Sequence, residues 1–243
     1  MENRCWWSQG NSISSMQAVI LAAGRGTRMG ELTNLVPKPM LLVKGKTLIE
    51  HKLDMLPPEV DEVIFVIGYL GDVIRRKFGN EYRGMRVRYV EQKTLNGTMG
   101  AVGLAKRYIT GRFIVMMGDD LYGIEDVLRA CAMPGWAVVV EETEHMASGG
   151  KVVLGEGGLV LDIVEGEHHG THGYMNTNLF VLDERIFEYP MVPKAPGSLE
   201  YGLPQTVLRA ARAETIPLSV VRATSWIQVT SPEDIVKAER ALG

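Results

Sequence analysis

Residues 17–30 read QAVILAAGRGTRMG, and the class of fold can be inferred from them. It opens with a continuous apolar run, residues 18–22, and passes directly into a loop rich in glycine. An apolar run of this length is typical of a strand that is buried on both faces, as in a parallel sheet covered by helices. In open sheets of that kind, ligands bind beyond the carboxyl ends of the strands, which is where this loop lies.

The loop has the composition of an anion-binding site. Gly24, Gly26 and Gly30 let backbone N–H groups converge on a phosphate without interference from Cβ atoms. Arg28 adds a bidentate donor, and Lys38 follows between two prolines that stiffen its backbone. The spacing departs from GxGxxG, and the loop lacks the Gly-Lys-Ser/Thr end of a Walker A loop. The sequence therefore predicts a phosphate-binding loop of another kind.

Strands and helices alternate on either side of this stretch. The predicted strands of the first part are residues 18–22, 62–67, 85–90, 113–117 and 137–140, and the predicted helices are 70–78, 99–108, 124–132 and one that begins at Thr47. Thr47 and Glu50 have the spacing of a capping box. Repeated strand–helix units with apolar strands indicate an α/β fold, a Rossmann-like three-layer sandwich with a mostly parallel, mixed central sheet.

The alternation of strands and helices ends after residue 149. Residues 151–154, 160–165 and 175–181 are predicted to be strands joined by short glycine-rich turns, as antiparallel additions to the same sheet. A helix over 203–211, strands over 218–222 and 226–229, and a last helix capped by Ser231 complete the pattern. We expect one domain over residues 16–243, preceded by a disordered N-terminal extension, residues 1–15.

Composition excludes several classes of protein. The 243 residues include 26 Lys and Arg against 29 Asp and Glu, a net charge of -3, so a basic nucleic-acid binder is excluded. No apolar run approaches the ~18 residues of a membrane span, so we expect no membrane association. Cys5 and Cys131 are too few for a disulfide framework, which favours a reducing, cytoplasmic compartment.

Five segments, taken in order, resemble one enzyme family. They are LAAGRGTRMGELTNLVPKPMLLVKGKTLIEH (21–51), GYLGDVIRRKFG (68–79), YVEQKTLNGTMGAV (89–102), VMMGDDLYG (115–123) and SPEDIVKAE (231–239). The set resembles the nucleotidyltransferases that make nucleoside-diphosphate sugars, and the resemblance covers about residues 16–242. It implies an Mg²⁺-dependent enzyme that joins a nucleoside triphosphate and a sugar 1-phosphate, releasing pyrophosphate. Members of this family often self-associate, so the resemblance also implies a possible homo-oligomer.

The resemblance implies a role for each matching residue. The triphosphate would lie on Ala22, Ala23, Gly24, Gly26, Thr27 and Arg28, with Lys38 neutralising its charge. Gln92 and Gly97 would read the nucleobase, with a pyrimidine favoured because an amide both donates and accepts. Asp119 would ligate Mg²⁺, and Asp120 would be either a helper or a helix cap. Glu165 and Asn176 would contact the sugar. Arg28, Lys38 and Asp119 would carry the catalysis by neutralising charge and holding the reactants in line.

Two positions depart from the family pattern, and both concern the acceptor and the metal. The family commonly has Glu-Lys-Pro where this chain has Glu165, Gly166 and Glu167, so the lysine that grips the sugar phosphate is missing. The second metal ligand, commonly aspartate, matches Gln228, and a neutral amide is a poorer ligand for Mg²⁺. Either Lys151 or Arg222 is a candidate to replace the missing lysine.

Three readings of the function follow. The chain is a sugar nucleotidyltransferase with a rearranged acceptor site, a relative acting on a phosphorylated non-sugar alcohol, or a non-catalytic nucleotide or sugar-nucleotide sensor. The donor-side residues match and the acceptor-side residues differ, which favours an enzyme with an unusual acceptor. Three histidines lie close together in the sequence, His168, His169 and His172. They are interpreted as a metal site, a substrate-facing loop or an ordinary surface loop.

Overall fold

The computed structural model describes residues 15–243, which contain twelve strands and six helices. The predicted N-terminal extension lies outside the described residues, apart from Ser15. The strands are β1 Met16–Ala22, β2 Leu42–Val43, β3 Lys46–Thr47, β4 Val60–Ile67, β5 Glu81–Tyr82, β6 Met85–Glu91, β7 Arg112–Met117, β8 Asp120–Tyr122, β9 Trp136–Leu154, β10 Val160–Asp183, β11 Leu218–Arg222 and β12 Trp226–Gln228. The helices are α1 Leu48–Asp54, α2 Gly71–Phe78, α3 Thr98–Ala105, α4 Ile124–Ala132, α5 Leu203–Glu214 and α6 Pro232–Ala241.

Eight of the strands form one central sheet in the order β11-β9-β10-β7-β1-β4-β6-β5. The strand β1 lies in its interior and pairs in parallel with β4 and β7. The strand β10 is antiparallel to both of its neighbours, β7 and β9. The prediction of a mixed, mostly parallel sheet is confirmed, and the apolar run of the opening motif forms one of its interior strands.

Helices cover both faces of this sheet. Every residue of β1 is buried, and its side chains alternate between two cores. Val19 and Leu21 face the core that contains residues of α3 and α5, whereas Ile20 faces the core built on α1, α2 and α4. A third, smaller cluster joins α6 to the glycine-rich loop through Met29 and Ala238. The three-layer sandwich is therefore confirmed as a single α/β domain.

Local signals place several helix ends where the sequence predicts them. The side chain of Thr47 accepts from the backbone N–H of Glu50 at 3.1 Å, and the carboxylate of Glu50 accepts from the backbone N–H of Thr47 at 2.8 Å. This reciprocal pair is the predicted capping box of α1. Ser231 and Asp234 form a second one at the start of α6.

The prediction of short strands after residue 136 is wrong. The segments predicted as 137–140 and 151–154 belong to the single strand β9, and those predicted as 160–165 and 175–181 belong to β10. Gly149 and Gly166 are paired directly across the two strands and do not form turns, because the antiparallel register continues unbroken from Val164 to Glu167. His168, His169 and His172 accordingly lie within β10 and not in a loop.

Two helices also differ from prediction at their ends. The helix predicted over 99–108 is α3 followed by a 3₁₀ turn, Lys106–Tyr108, and α5 continues three residues beyond the predicted end. Across residues 15–243, no helix has the length and apolar character needed to cross a membrane.

Candidate active site

Two pockets open at the carboxyl ends of the central strands and share Leu21, Gly24 and Met117 as a common wall. The first, of about 220 Å³, we call the glycine-loop pocket. Its lining includes Ala22, Gly24, Gly26, Thr27, Arg28, Lys38, Asp119 and Thr230. The second, of about 270 Å³, we call the adjoining pocket. Its lining includes Ala23, Gln92, Gly97, Glu165, Asn178, Lys194 and Glu200.

The glycine loop and Lys38 are packed against each other in a way that requires glycine. Gly26 has φ +66°, and a Cβ there would lie 2.9 Å from the Cβ of Lys38. Its carbonyl accepts from the backbone N–H of Met29 at 3.0 Å, which turns the chain into a short 3₁₀ segment. The loop thereby brings Arg28 and Lys38, 10 residues apart in the sequence, to one wall of the pocket.

Lys38 reaches Asp119 across the glycine-loop pocket. The Nζ of Lys38 lies 2.6 Å from Oδ2 of Asp119, and the lysine side chain is only 9% exposed. Asp119 stands at the end of β7, after Gly118, whose backbone N–H donates to the carbonyl of Leu21 in β1 at 2.8 Å. A Cβ at Gly118 would lie 2.6 Å from that same carbonyl oxygen. The close contact of the two strand ends thus aligns the carboxylate with the lysine.

The donor set of this pocket suits Mg²⁺ shared with a ligand. Asp119 supplies the one carboxylate among the lining residues. Residues 15–243 contain no cluster of three or more His, Cys, Asp or Glu side chains arranged to hold a metal ion. Mg²⁺ usually keeps several waters and is held by one or two carboxylates together with substrate phosphates. The pocket therefore fits a metal–triphosphate complex and not a metal cage made of protein side chains alone.

Gln228 lies outside both pocket linings. It pairs with Asp120 between β12 and β8, and its side chain is exposed. Asp120 is buried, and its Oδ2 accepts from Nε1 of Trp226 at 3.2 Å and from the hydroxyl of Tyr122 at 3.4 Å. Burial and the neighbouring Asp119 raise the pKa of Asp120 to about 7. Asp120 is not a helix cap, because α4 starts after Gly123.

Lys52 belongs to α1 and is fully buried next to the start of β8, where Asp120 lies. Its Nζ donates to the carbonyl of Leu48 at 3.1 Å and to the carbonyl of Asp120. Burial lowers the pKa of Lys52 to about 8, against the attraction of Asp120 and Asp119. The sequence reasoning missed this residue, and its one signal is a lysine on the apolar face of an amphipathic helix.

Gln92 and Gly97 form one wall of the adjoining pocket. The side chain of Gln92 is buried, and its Nε2 donates to Oδ1 of Asn96 at 3.1 Å and to the carbonyl of Gly97 at 3.3 Å. Gly97 has φ +94°, and a Cβ there would lie 2.3 Å from the carbonyl oxygen of Tyr201. The side-chain amide of Gln92 is therefore oriented by residues 96 and 97 of its own segment. This segment packs closely against a second one near residue 201.

This second segment is a hairpin, residues 192–202. Backbone hydrogen bonds close it between Lys194 and Glu200 at 2.8 Å and between Gly202 and Val192 at 3.0 Å. Tyr201 docks it, since its N–H donates to the carbonyl of Asn96 at 2.8 Å. The hairpin contributes Lys194 and Glu200 to the adjoining pocket.

Sequence reasoning missed Lys194, although one signal was present. The stretch Val-Pro-Lys at 192–194 repeats the Val-Pro-Lys that contains Lys38. Lys194 is exposed and forms no ion pair with any carboxylate in residues 15–243. The adjoining pocket therefore has a cation that is free to meet an anionic ligand.

The acceptor-side residues are placed only partly as predicted. Glu165 lines the adjoining pocket, whereas Asn176 is buried and absent from its lining. Asn178 lines it instead, with φ +58°, and two hydrogen bonds of 2.9 and 3.0 Å tie it to Asn176. Asn176 therefore orients Asn178. Residues two apart in a regular strand face the same side, but the left-handed backbone of Asn178 and the shift of register after Asn176 interrupt that regularity in β10.

Neither candidate for the missing lysine reaches the pockets. Lys151 donates to the hydroxyl of Thr171 at 3.3 Å, and Arg222 pairs with Glu142 at 3.6 Å. His168 contacts the carbonyl of Gly149 at 2.9 Å, and the three predicted histidines are absent from both pocket linings.

A family model described as "Nucleotidyl transferase" matches residues 17–243. The chain belongs to this nucleotidyl transferase family. It is 28% identical over 227 residues to the bifunctional protein GlmU of Methanocaldococcus jannaschii, covering 93% of this chain but only 54% of that protein. The chain therefore spans about half the length of that relative.

One further relative and one solved structure match nearly the whole of this nucleotidyl transferase. The UTP–glucose-1-phosphate uridylyltransferase AglF of Haloferax volcanii is 28% identical over 242 residues, covering 93% of this chain and 96% of that protein. The structure of the inositol-1-phosphate CTP transferase from T. maritima superposes with a TM-score of 0.72 at 20% identity. The superposition covers 93% of this chain and 96% of the T. maritima chain, so the two proteins share the fold.

Proposed function

We propose that the chain transfers a nucleotidyl group from a nucleoside triphosphate to a sugar 1-phosphate. One observation carries the proposal: the glycine-loop pocket, with Lys38 and Asp119, shares a wall with a second pocket lined by Glu165, Asn178 and Lys194. The glycine-loop pocket suits the triphosphate, and the adjoining pocket, which also contains Gln92 and Gly97, suits the nucleobase and the acceptor together. The proposed nucleotidyltransferase domain is residues 16–243.

The reaction needs charge neutralisation more than proton transfer. A phosphate oxygen of the acceptor attacks the α-phosphorus of the triphosphate. The new P–O bond forms as the bond from the α-phosphorus to the bridging oxygen breaks, and that electron pair leaves with pyrophosphate. The nucleophile is already an anion, so no side chain has to remove a proton from it.

On the donor side, we propose that the backbone of Ala22, Ala23, Gly24, Gly26 and Thr27 binds the triphosphate. Arg28 and Lys38 hold its anionic oxygens and stabilise the charge that grows on the leaving group. Mg²⁺ bound through Asp119 would supply further positive charge at the phosphates when present. We do not assign Gln228 a place in that coordination, because it is outside the glycine-loop lining.

Base selection is proposed to rest on the segment 92–97. The Nε2 of Gln92 is held by Asn96 and by the carbonyl of Gly97, so the orientation of the amide is defined. An amide of defined orientation presents its oxygen as an acceptor, which suits the N–H of a pyrimidine edge such as uracil or thymine. This supports the preference for a pyrimidine nucleotide.

On the acceptor side, we propose that Lys194 takes the part of the family lysine that is missing beside Gly166. It lies in the adjoining pocket with Glu165 and Asn178, whose polar groups suit the hydroxyls of the acceptor. A polyol phosphate carries the same groups. The name of the T. maritima structural neighbour includes inositol 1-phosphate, so a non-sugar acceptor is the second candidate.

A pyrophosphate-release screen tests the proposal. Four nucleoside triphosphates are paired with a panel of sugar 1-phosphates and alcohol phosphates, with and without Mg²⁺, using the Lys38→Ala variant as the inactive control. Release that requires both substrates supports a transferase, and the productive acceptor distinguishes the two candidates. Nucleotide binding without release from any pair would contradict both and favour a sensor.

Two further expectations concern the setting of the enzyme. A cytoplasmic location is proposed from the scarcity of cysteine and from the nucleoside triphosphate as donor. Self-association stays a prediction, and sedimentation of the purified chain would measure it.

A further inference from the structure

Lys52 is a fully buried lysine in a part of the molecule where an apolar side chain would pack well. It is 0% exposed, and its neighbours on the same face of α1 are Leu48, Ile49 and Leu53. Lysine is almost never fully buried unless it is paired, because the cost of removing an ammonium from water is high. The position therefore calls for a physical reason other than filling the core.

The partners of Lys52 are backbone carbonyls. The ammonium donates to the carbonyl of Leu48, one turn earlier in α1, and to the carbonyl of Asp120. Within residues 15–243 it makes no direct ion pair with a carboxylate. Hydrogen bonds to carbonyl dipoles leave its charge without a contacting counter-charge. Stability alone does not explain such a group, since apolar replacement of buried charges is often neutral or stabilising.

The position of the Asp120 carbonyl provides the reason. Asp120 is the residue after Asp119, whose carboxylate lines the glycine-loop pocket and forms an ion pair with Lys38. The next carboxylate, that of Asp120, points the other way, where Trp226 and Tyr122 donate to it. The carboxylates of Asp119 and Asp120 therefore point in opposite directions. Lys52 links α1 to the backbone at this point, through its hydrogen bond to the carbonyl of Asp120.

We infer that Lys52 is a positioning residue for Asp119. It ties the backbone at Asp120 to α1, so that the carboxylate of Asp119 keeps its place at the pocket wall. Its charge also offsets the two neighbouring carboxylates from the protein side, where solvent does not reach. The inference rests on the proposed function only in so far as Asp119 binds the metal of the nucleotide.

If Lys52 positions Asp119, Lys52→Met should keep its thermal stability and yet bind the metal more weakly. Methionine fills a similar volume without a charge, so the thermal midpoint of the variant is expected to equal or exceed that of the wild type. Loss of the tether leaves Asp119 less well placed, so Mn²⁺ binding to the protein–nucleotide complex is expected to weaken. Loss of a group that orients a metal ligand typically costs about 10- to 100-fold in metal affinity or activity.

The experiment compares three proteins. Calorimetry with Mn²⁺ and a non-hydrolysable nucleoside triphosphate is run on the wild type, on Lys52→Met and on Lys46→Met. Lys46 lies near the same helix and pairs with Asp54 at 2.5 Å, and it is absent from both pocket linings. The control is expected to keep wild-type Mn²⁺ affinity, whereas Lys52→Met loses it without losing thermal stability. Where turnover is measurable, kcat falls and the KM of each substrate changes little.

Two outcomes would overturn the inference. A stable Lys52→Met protein with wild-type Mn²⁺ affinity would show that the lysine does not position Asp119. A variant with a lower thermal midpoint, or one that does not fold, would show that Lys52 serves the stability of the core. Failure of the proposed function gives a different result: the wild type would show no turnover with any substrate pair, while the Mn²⁺ and thermal comparisons would still be measurable.

Discussion

Gly97 joins the nucleotide side of the candidate site to the hairpin 192–202, and replacing it by alanine tests that junction directly. Two costs arise in Gly97→Ala. The residue has φ +94°, where an L side chain is strained by about 1–3 kcal/mol. The new Cβ would also lie 2.3 Å from the carbonyl oxygen of Tyr201. Ordinary contact begins at 3.4 Å, so the two segments must separate by about 1.1 Å, the difference of these distances.

That separation acts on three hydrogen bonds. The N–H of Tyr201 donates to Asn96 at 2.8 Å, the N–H of Met99 donates to Tyr201 at 3.0 Å, and the N–H of Leu203 donates to Thr98 at 2.9 Å. At about 1 kcal/mol each, they set an upper bound of roughly 3 kcal/mol on the loss of docking energy. The hairpin also contains Lys194, so the two pockets would no longer hold their ligands in register.

Gly111→Ala is the matched control for this variant. Gly111 has a similar φ, +91°, with no atom within 4 Å of an added Cβ, and it precedes β7 at the end remote from Asp119. Both variants bear the backbone strain, and only Gly97→Ala bears the clash. We expect kcat/KM for pyrophosphate release to fall about 100-fold in Gly97→Ala, as for a misplacement of about 1 Å, and to stay at the wild-type value in Gly111→Ala. Equal kcat/KM and equal thermal midpoints for the two variants would show that the contact with Tyr201 does not position the hairpin.

Lys38, Lys194 and Glu50 provide three further tests. Lys38→Ala is expected to lower kcat by about 100- to 1,000-fold in the pyrophosphate assay, and an undiminished kcat would contradict its role in charge neutralisation. Lys194→Ala is expected to raise acceptor KM about tenfold with nucleotide KM unchanged, whereas Lys151→Ala alters neither; equal acceptor KM values would exclude Lys194. Burial alone would raise the pKa of Glu50, but hydrogen bonds from Thr47 and Lys77 lower it from 4.5 to about 2. Its stabilising effect is therefore complete above pH 4.5 and lost as pH falls toward 2, so Glu50→Gln is expected to cost about 1 kcal/mol at pH 7 and progressively less in urea titrations at lower pH.

The predicted elements that proved correct depend on short-range patterns. Six of the seven residues of β1 are apolar because both faces of the strand are covered, and any strand in that position shows the same signal. The capping box of α1 joins residues three apart in the sequence. The glycine loop is equally local, since the left-handed turn at Gly26 requires glycine and is therefore visible in the sequence.

The elements that were mispredicted depend on pairing between distant segments. Gly149 and Gly166 look like turn residues, yet β9 and β10 pair through them for most of their lengths. An isolated segment does not show that its partner will supply hydrogen bonds on both sides of a glycine. For the same reason, the three histidines look like a loop although they lie within β10.

The α/β class and the donor-side motif could be predicted because each depends on residues close together along the chain, and the family could be recognised from five such local segments. The side chains that line the two pockets could be identified only from the tertiary structure. It shows Asn178 in the pocket lining where Asn176 was expected, adds Lys194 from a hairpin about 100 residues beyond Gln92, and leaves Gln228 outside. It also shows the buried ammonium of Lys52 beneath Asp120. Such contacts depend on how strands are ordered in the sheet, and sheet order is settled by packing across the whole domain.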